Sequence, residues 1–306
     1  MHVAAKSLLL IFLYLLINRN AQAQETSFKA EQTNNSPDRN FTGFEASNET
    51  QPLWEVGLAG ATFEVPNYPA SSERNFIAIA LPYFVYRGDF FRIGDGGGIR
   101  AVFIEKSDFE IDLSFAGAFS ADTEDNTART GMPELDFLFE IGPQLIYKIK
   151  DFSYDNGGQS RIKARFQARA VFSTDFDRID NRGYVFEPTI TYQQRGVLFK
   201  ETGLNLSLAF TYASEELQDY FYQVDNKFVS PSRQHYDAQG GYLGAKVAVS
   251  FSFPLSNNIR GFLGGSINIH KGAVNQESPL FEKDITYSIG AGLVWRMYES
   301  ESKANW

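Results

Sequence analysis

Asp284-Ile285-Thr286-Tyr287-Ser288-Ile289-Gly290-Ala291-Gly292-Leu293-Val294-Trp295-Arg296-Met297-Tyr298 decides the fold. In an extended chain, Ile285, Tyr287, Ile289, Ala291, Leu293, Trp295 and Met297 fall on one side, and Thr286, Ser288, Gly290, Gly292 and Arg296 on the other. A period of two with one greasy face is a strand between an apolar and a polar medium. The same alternation sets Phe109, Ile111, Leu113, Phe115 and Phe119 against Glu110, Asp112, Ser114 and Ser120. It also sets Leu204, Leu206, Leu208, Phe210 and Tyr212 against Asn205, Ser207 and Thr211. Long amphipathic strands in series predict an all-β protein, an antiparallel transmembrane β-barrel.

Working outward, candidate strands fall near 53–63, 74–85, 89–93, 98–104, 109–119, 135–150, 159–172, 182–193, 197–212, 241–253, 259–270 and 284–298, which makes twelve. Connections at 86–88, 105–108, 151–158, 194–196 and 254–258 are short, and those at 64–73, 120–134, 173–181, 213–240 and 271–283 are longer. Short periplasmic turns alternating with long external loops put both termini in the periplasm. The 89–93 and 98–104 pair is the weak point, because Gly94 to Gly97 is very short for an external loop; ten strands is the alternative. A soluble sandwich also alternates, but its strands run about 5 or 6 residues. Tyr147, Tyr212 and Trp295 near strand ends suit an interfacial girdle.

Residues 1–23 read as an export signal: Lys6 is followed by an apolar run from Leu8 to Ile17 and a small-x-small site at Ala21-Gln22-Ala23. That run is shorter than the roughly 20 residues a spanning helix needs. Removing it takes away Lys6 and Arg19, changing the formal charge from −9 to −11, an acidity that argues against nucleic acid. Without cysteine there is no thiol nucleophile or thiolate metal site. Residues 24–52 are polar and read as a mobile periplasmic leader, 53–298 as the barrel, and 299–306 as a C-terminal extension ending in Trp306.

Around the second candidate strand stand Val65-Pro66-Asn67-Tyr68-Pro69-Ala70-Ser71-Ser72 and Ala80-Leu81-Pro82-Tyr83-Phe84-Val85-Tyr86-Arg87-Gly88-Asp89. With Gly57-Leu58-Ala59-Gly60, Gly131-Met132, Glu140-Ile141-Gly142-Pro143, Tyr236-Asp237-Ala238 and Gly240-Gly241-Tyr242, they span nearly the whole barrel. In order and spacing they resemble the MipA/OmpV family, the MltA-interacting outer-membrane proteins. The motif matches are Tyr68, Pro69, Pro82, Tyr86, Arg87 and Gly88. Ala70 stands where the family commonly has Gly, and Ser72 where it commonly has Asp. The resemblance implies a non-enzymatic outer-membrane scaffold for peptidoglycan-remodelling enzymes, a murein transglycosylase and a bifunctional murein synthase. Other members are associated with osmotic response, adhesion or antibiotic susceptibility. A narrow channel for small solutes is the alternative, and a surface adhesin a third reading.

On the segment 159–172, Arg161, Lys163, Arg165 and Arg169 share one face, which must be the lumen because a base facing mid-bilayer lipid costs roughly 2–4 kcal/mol. The same logic turns Asp136, Glu140, Gln144 and Lys148 inward, with Glu110 and Asp112 on another strand. Two readings follow: a salt-bridge network filling a narrow barrel, or a charged constriction selecting small solutes. The loop 213–240 carries Tyr220, Phe221 and Tyr222, either as a recognition surface or folded inward as a plug. Ser266, Asn268 and His270 share a strand face and evoke a lipid hydrolase, but neighbours on one face do not make a nucleophile and its base. Asp122, Glu124 and Asp125 read as solvated loop acids rather than a calcium site. Neither cofactor nor metal is expected, and outer-membrane lipid is the expected surround.

Overall fold

A computed structural model describes residues 39–46, 48–94, 98–118 and 126–305. The expected signal, the leader up to residue 38, the acids Asp122, Glu124 and Asp125, and Trp306 lie outside the described residues. Twelve antiparallel strands close into a barrel: β1 (Trp54–Pro66), β2 (Arg74–Arg87), β3 (Phe91–Ile93), β4 (Ile99–Glu105), β5 (Phe109–Ala118), β6 (Phe137–Ser153), β7 (Gln159–Thr174), β8 (Ile179–Arg195), β9 (Gly203–Ala213), β10 (Gly241–Pro254), β11 (Ile259–Ile269) and β12 (Ile285–Glu299). Each pairs with its chain neighbours, and β12 closes on β1 with Leu58 opposite Trp295. The count is twelve and not ten.

The side-chain alternation sorts the two media. Ile285, Tyr287, Ile289, Leu293, Trp295 and Met297 of β12 stand exposed on the outside, as do Leu206, Leu208, Phe210 and Tyr212 of β9. Their sequence neighbours turn into the lumen, where Arg92, Arg100, Asp112, Arg169, Thr191 and Arg260 are buried. The barrel is thus apolar outside and polar inside, the arrangement a bilayer demands.

Strand ends differ from the sequence expectation in two places. The long loop expected at 173–181 is only the turn between Thr174 and Ile179, because β7 and β8 run 16 and 17 residues. Asp175 holds that turn by accepting from the backbone N–H of Asp177 and Arg178. The turn expected at 194–196 spans 196–202 instead. Gly196 opens it at a φ of 67°, and the apolar Leu198 and Phe199 are exposed in the turn rather than in a strand. A helix that alternation could not foretell, α1 (Glu215–Tyr222), lies between β9 and β10.

The segment 89–93 shrinks to the three-residue β3, which meets β2 only through Tyr86 opposite Ile93 and Arg87 opposite Arg92. On the external side of Val85, β2 has no strand partner on its β3-facing edge among the described residues. Pro82, which has no N–H to give a neighbour, sits in that stretch and pairs only with Leu58 of β1.

Candidate functional site

The lumen has two unlike walls. Across β3 to β7 a hydrogen-bonded chain of charge crosses five strands. Arg92 meets Glu105 at 2.6 Å and Glu110 at 3.0 Å. Arg100 meets Glu110 at 2.6 Å and Asp112 at 3.5 Å. Gln144 donates to Asp112 at 2.8 Å, and Gln167 donates to Gln144 at 2.7 Å. Nearer the outside, Arg169 sits 2.6 Å from Glu140 and 4.0 Å from Glu187. Arg161 is held at 2.6 Å by Asp151, and Arg182 lies 3.9 Å from Asp136. The buried Lys163 and the half-buried Arg165 point inward with them on β7.

The structure places Glu110, Asp112, Arg161, Lys163 and Arg169 among the buried side chains of the barrel interior. The acids of β5 are taken by Arg92 and Arg100. Sequence reading passed over both arginines because their strands are too short to show alternation. Arg92 and Arg100 are wholly buried, and such groups are retained only when paired.

The opposite wall, from β10 round to β1, is smooth. Its inward positions include Ala59, Ala61, Ala248, Ser250, Gly264, Ser288, Gly290 and Gly292, with Phe63, Phe262 and Lys246 as the larger exceptions. Small side chains here leave free space beside the crowded charged wall.

The external mouth is covered by its own loops, which share the one hydrophobic cluster of the described chain. Tyr68, Leu135, Leu217, Phe221, Tyr222, Val224, Leu243 and Leu280 pack in it. The Tyr222 hydroxyl donates to the Pro69 carbonyl at 2.9 Å, and that of Tyr68 to the Leu280 carbonyl at 2.9 Å. Burial raises both phenols well above the usual tyrosine range. Arg233 ties two loops together through the carbonyls of Ala128 and Thr130 in one and Phe228 in its own. Phe221 and Tyr222 are buried in this cluster, and Tyr220 packs beside them with Arg182 over its ring at 4.5 Å. Within the helix, burial beside Glu215, Asp237 and Glu216 pushes the Asp219 carboxyl up to about 6.

The periplasmic mouth is closed differently. Residues 39–46, expected to be part of a mobile leader, fold against the barrel. Arg195 of β8 donates to the Gly43 and Phe44 carbonyls. Arg296 of β12 pairs with Glu45 at 2.5 Å and lies over the Phe44 ring at 4.6 Å. Phe41 is buried beneath Arg161 at 5.3 Å. The segment crosses from the β7–β8 side to the β12 side because its free carbonyls and rings find donors there. Further on, Gln51 is buried and its carbonyl accepts from Ala304. Gln51 and Pro52, at the end of the leader, thus pack on the C-terminal extension.

The motif residues have physical work at these mouths. Arg87 pairs with Glu55 at 2.5 Å and donates to the Pro52 carbonyl at 2.8 Å, anchoring the entrance to β1. A side chain at Gly88 would sit 2.6 Å from the Tyr86 ring and 2.9 Å from the Phe91 carbonyl. Ala70 adopts a φ of 64°, the left-handed region that costs a side chain energy.

His270 is occupied structurally. Its Nε2 accepts from the Ala70 N–H at 3.2 Å and lies 3.0 Å from the Thr286 hydroxyl. Burial lowers its pKa, keeping the ring neutral. Ser266 lies four residues back along the chain, about 13 Å at strand rise, out of reach of this base.

At the periplasmic rim, apolar side chains stand out on four turns: Phe90, Tyr154, Leu198 with Phe199, and Leu255 are exposed.

A family model described as MltA-interacting protein MipA matches residues 56–297. No curated protein matches the chain. Solved structures similar to it include the NanC porin, at 6% identity and a TM-score of 0.37 over 79% of this chain and 100% of that one. Another is OprB of Pseudomonas putida, at 6% identity and a TM-score of 0.34 over 79% of this chain and 93% of that one. A third is a bacterial polysaccharide outer membrane secretin, at 6% identity and 0.36 over 82% and 100%.

Proposed function

The chain belongs to the MltA-interacting protein MipA family, and from that premise we propose that this outer-membrane β-barrel is a closed scaffold holding a murein transglycosylase at its periplasmic rim. The observation that carries the reading is the closure of both mouths, by a packed cap outside and by residues 39–46 inside. A barrel covered at both ends supports a structural role over conduction. The exposed Leu198 and Phe199, with Phe90, Tyr154 and Leu255 on neighbouring turns, supply the apolar anchors around which protein interfaces are organised.

Refolded mature protein in a planar bilayer is expected to be silent, and the immobilised protein to capture a purified transglycosylase of the MltA class with saturable affinity. Replacing Leu198 and Phe199 with Ser lowers that affinity about tenfold, the loss of an anchor worth more than 1 kcal/mol, without changing the folded barrel. Discrete ion-selective steps that change with Arg165→Ala, together with no capture, would replace the scaffold reading with that of a narrow channel.

A further inference from the structure

Beneath the external cap the two walls leave a chamber of about 500 Å³. That size lies within the range of small-molecule sites. Phe63, Val65, Ile77, Val171 and Leu243 make most of its surface apolar, under a roof of cap aromatics. Three carboxylates, Asp136, Glu140 and Glu187, and two cations line it, and Asp136 lies 3.9 Å from Arg182. Arg169 is committed to Glu140 and Glu187. Lys246, on the smooth wall, stands opposite Ala209 on one side and Asn268 on the other, and has no ion-pair partner among the described residues.

An uncommitted, exposed ammonium at the edge of a largely apolar chamber offers an anion its counter-charge, and the attraction rises as the occupant displaces water and lowers the surrounding dielectric. An aliphatic chain laid along the lining gains roughly 25 cal/mol for each Å² it removes from water. The chamber also abuts the external half of β2, the Ile77 strand, where the barrel wall lacks a strand partner among the described residues.

We propose that this chamber binds a single-chain amphiphile, a medium-length aliphatic tail ending in a carboxylate. The tail lies among Phe63, Val65, Ile77 and Leu243, and the carboxylate pairs with the Lys246 ammonium. The edge of β2, which has no strand partner there among the described residues, gives it a lateral route from the bilayer.

The test is equilibrium binding of dodecanoate to the mature protein in lipid nanodiscs, against empty discs, with dodecanol and dodecyltrimethylammonium as the neutral and cationic counterparts. Saturable one-to-one binding of dodecanoate is expected. Lys246→Met weakens it about tenfold, the worth of one charge-assisted contact, while leaving dodecanol binding unchanged, and Lys246→Arg restores it. Absence of saturable binding above empty discs, or equal affinity in Lys246→Met, overturns the proposal. Should the methionine variant fail to fold, wild-type protein decides the matter with a dodecanoate carrying a photoreactive tail. Labelling of peptides containing Val65 or Leu243 supports the site, and labelling confined to lipid-facing residues such as Leu263 removes it. For the access route, the label is supplied either in the disc lipid or in the aqueous phase of a lipid-saturated sample; faster chamber labelling from the lipid is expected, and labelling only from water removes the lateral path.

Discussion

The two mouths of this barrel are closed by opposite kinds of chemistry. Outside, four loops bury a common apolar cluster around Tyr222, with hydroxyl and guanidinium donors satisfying the carbonyls between them. Inside, a short polar segment with two phenylalanines is gripped by arginines borne on the strands, through carbonyls and one carboxylate. A self-packed core stays shut until it unfolds. A segment held by a few side chains is released whenever those donors are offered something better. The difference places the adaptable end of the molecule in the periplasm, where the proposed partner works.

The sharpest way to break this contrast is to empty the core of the cap. Tyr222→Ala removes a wholly buried ring, and its expected cost is about 3–5 kcal/mol, read as accelerated proteolysis at Lys227 on the refolded protein. The periplasmic segment should keep its protection in that variant. Arg195→Ala is the counterpart inside: two carbonyls lose a charged donor, each such bond being worth about 1.5–3 kcal/mol. Trypsin cleavage at Arg39 is expected to rise while the rate of cleavage at Lys227 stays unchanged. If both sites open together in either variant, the two closures are one cooperative unit and the contrast fails.

Smaller effects refine the picture of the cap. Ala70→Gly relieves a left-handed backbone and should stabilise by about 1 kcal/mol, seen as a higher melting temperature. Asp219 gives a pH signature. Its folded carboxyl titrates near 6, whereas an unfolded one titrates near 4, so between these values the folded cap holds the extra proton. Its contribution is therefore fully present below about pH 4 and is lost as the pH rises through 6. Proteolysis at Lys227 should quicken from pH 5 to pH 7 in the natural protein more than in Asp219→Asn.

Much of the wall was legible because a bilayer forces a period of two on every strand that crosses it. The β12 stretch 284–298 reads outward and inward without error, and the inward bases Arg161, Lys163, Arg165 and Arg169 follow from the same rule. What resisted reading was whatever obeys local donors and acceptors instead. The Asp175 turn is an example, since its backbone bonds let β7 and β8 run on past polar Thr174. The helix α1 had a faint signal in Ser214-Glu215-Glu216, small and acidic residues at a helix start. Residues 39–46 carried none, because their polar composition is that of a tether, and only the positions of Arg195 and Arg296 on distant strands make them a closure. Pairing was equally hidden: composition marks Glu110 and Asp112 as lumen acids, but contact with Arg92 and Arg100 depends on register.

The brevity of β3 has a meaning for the lipid around the barrel. Three residues rise about 10 Å, against the roughly 30 Å of a hydrocarbon core, while β6 and β8, at 17 residues each, stand far taller. Among the described residues the outer half of β2 has no strand partner on this side, and hydrocarbon beside unpaired backbone is strongly disfavoured, so acyl chains next to such a sector shorten or tilt to avoid it. The molecule accordingly has a low side and a high side in the membrane plane. Any neighbour that prefers a thinned leaflet will find the same flank of every copy, giving a round barrel a heading.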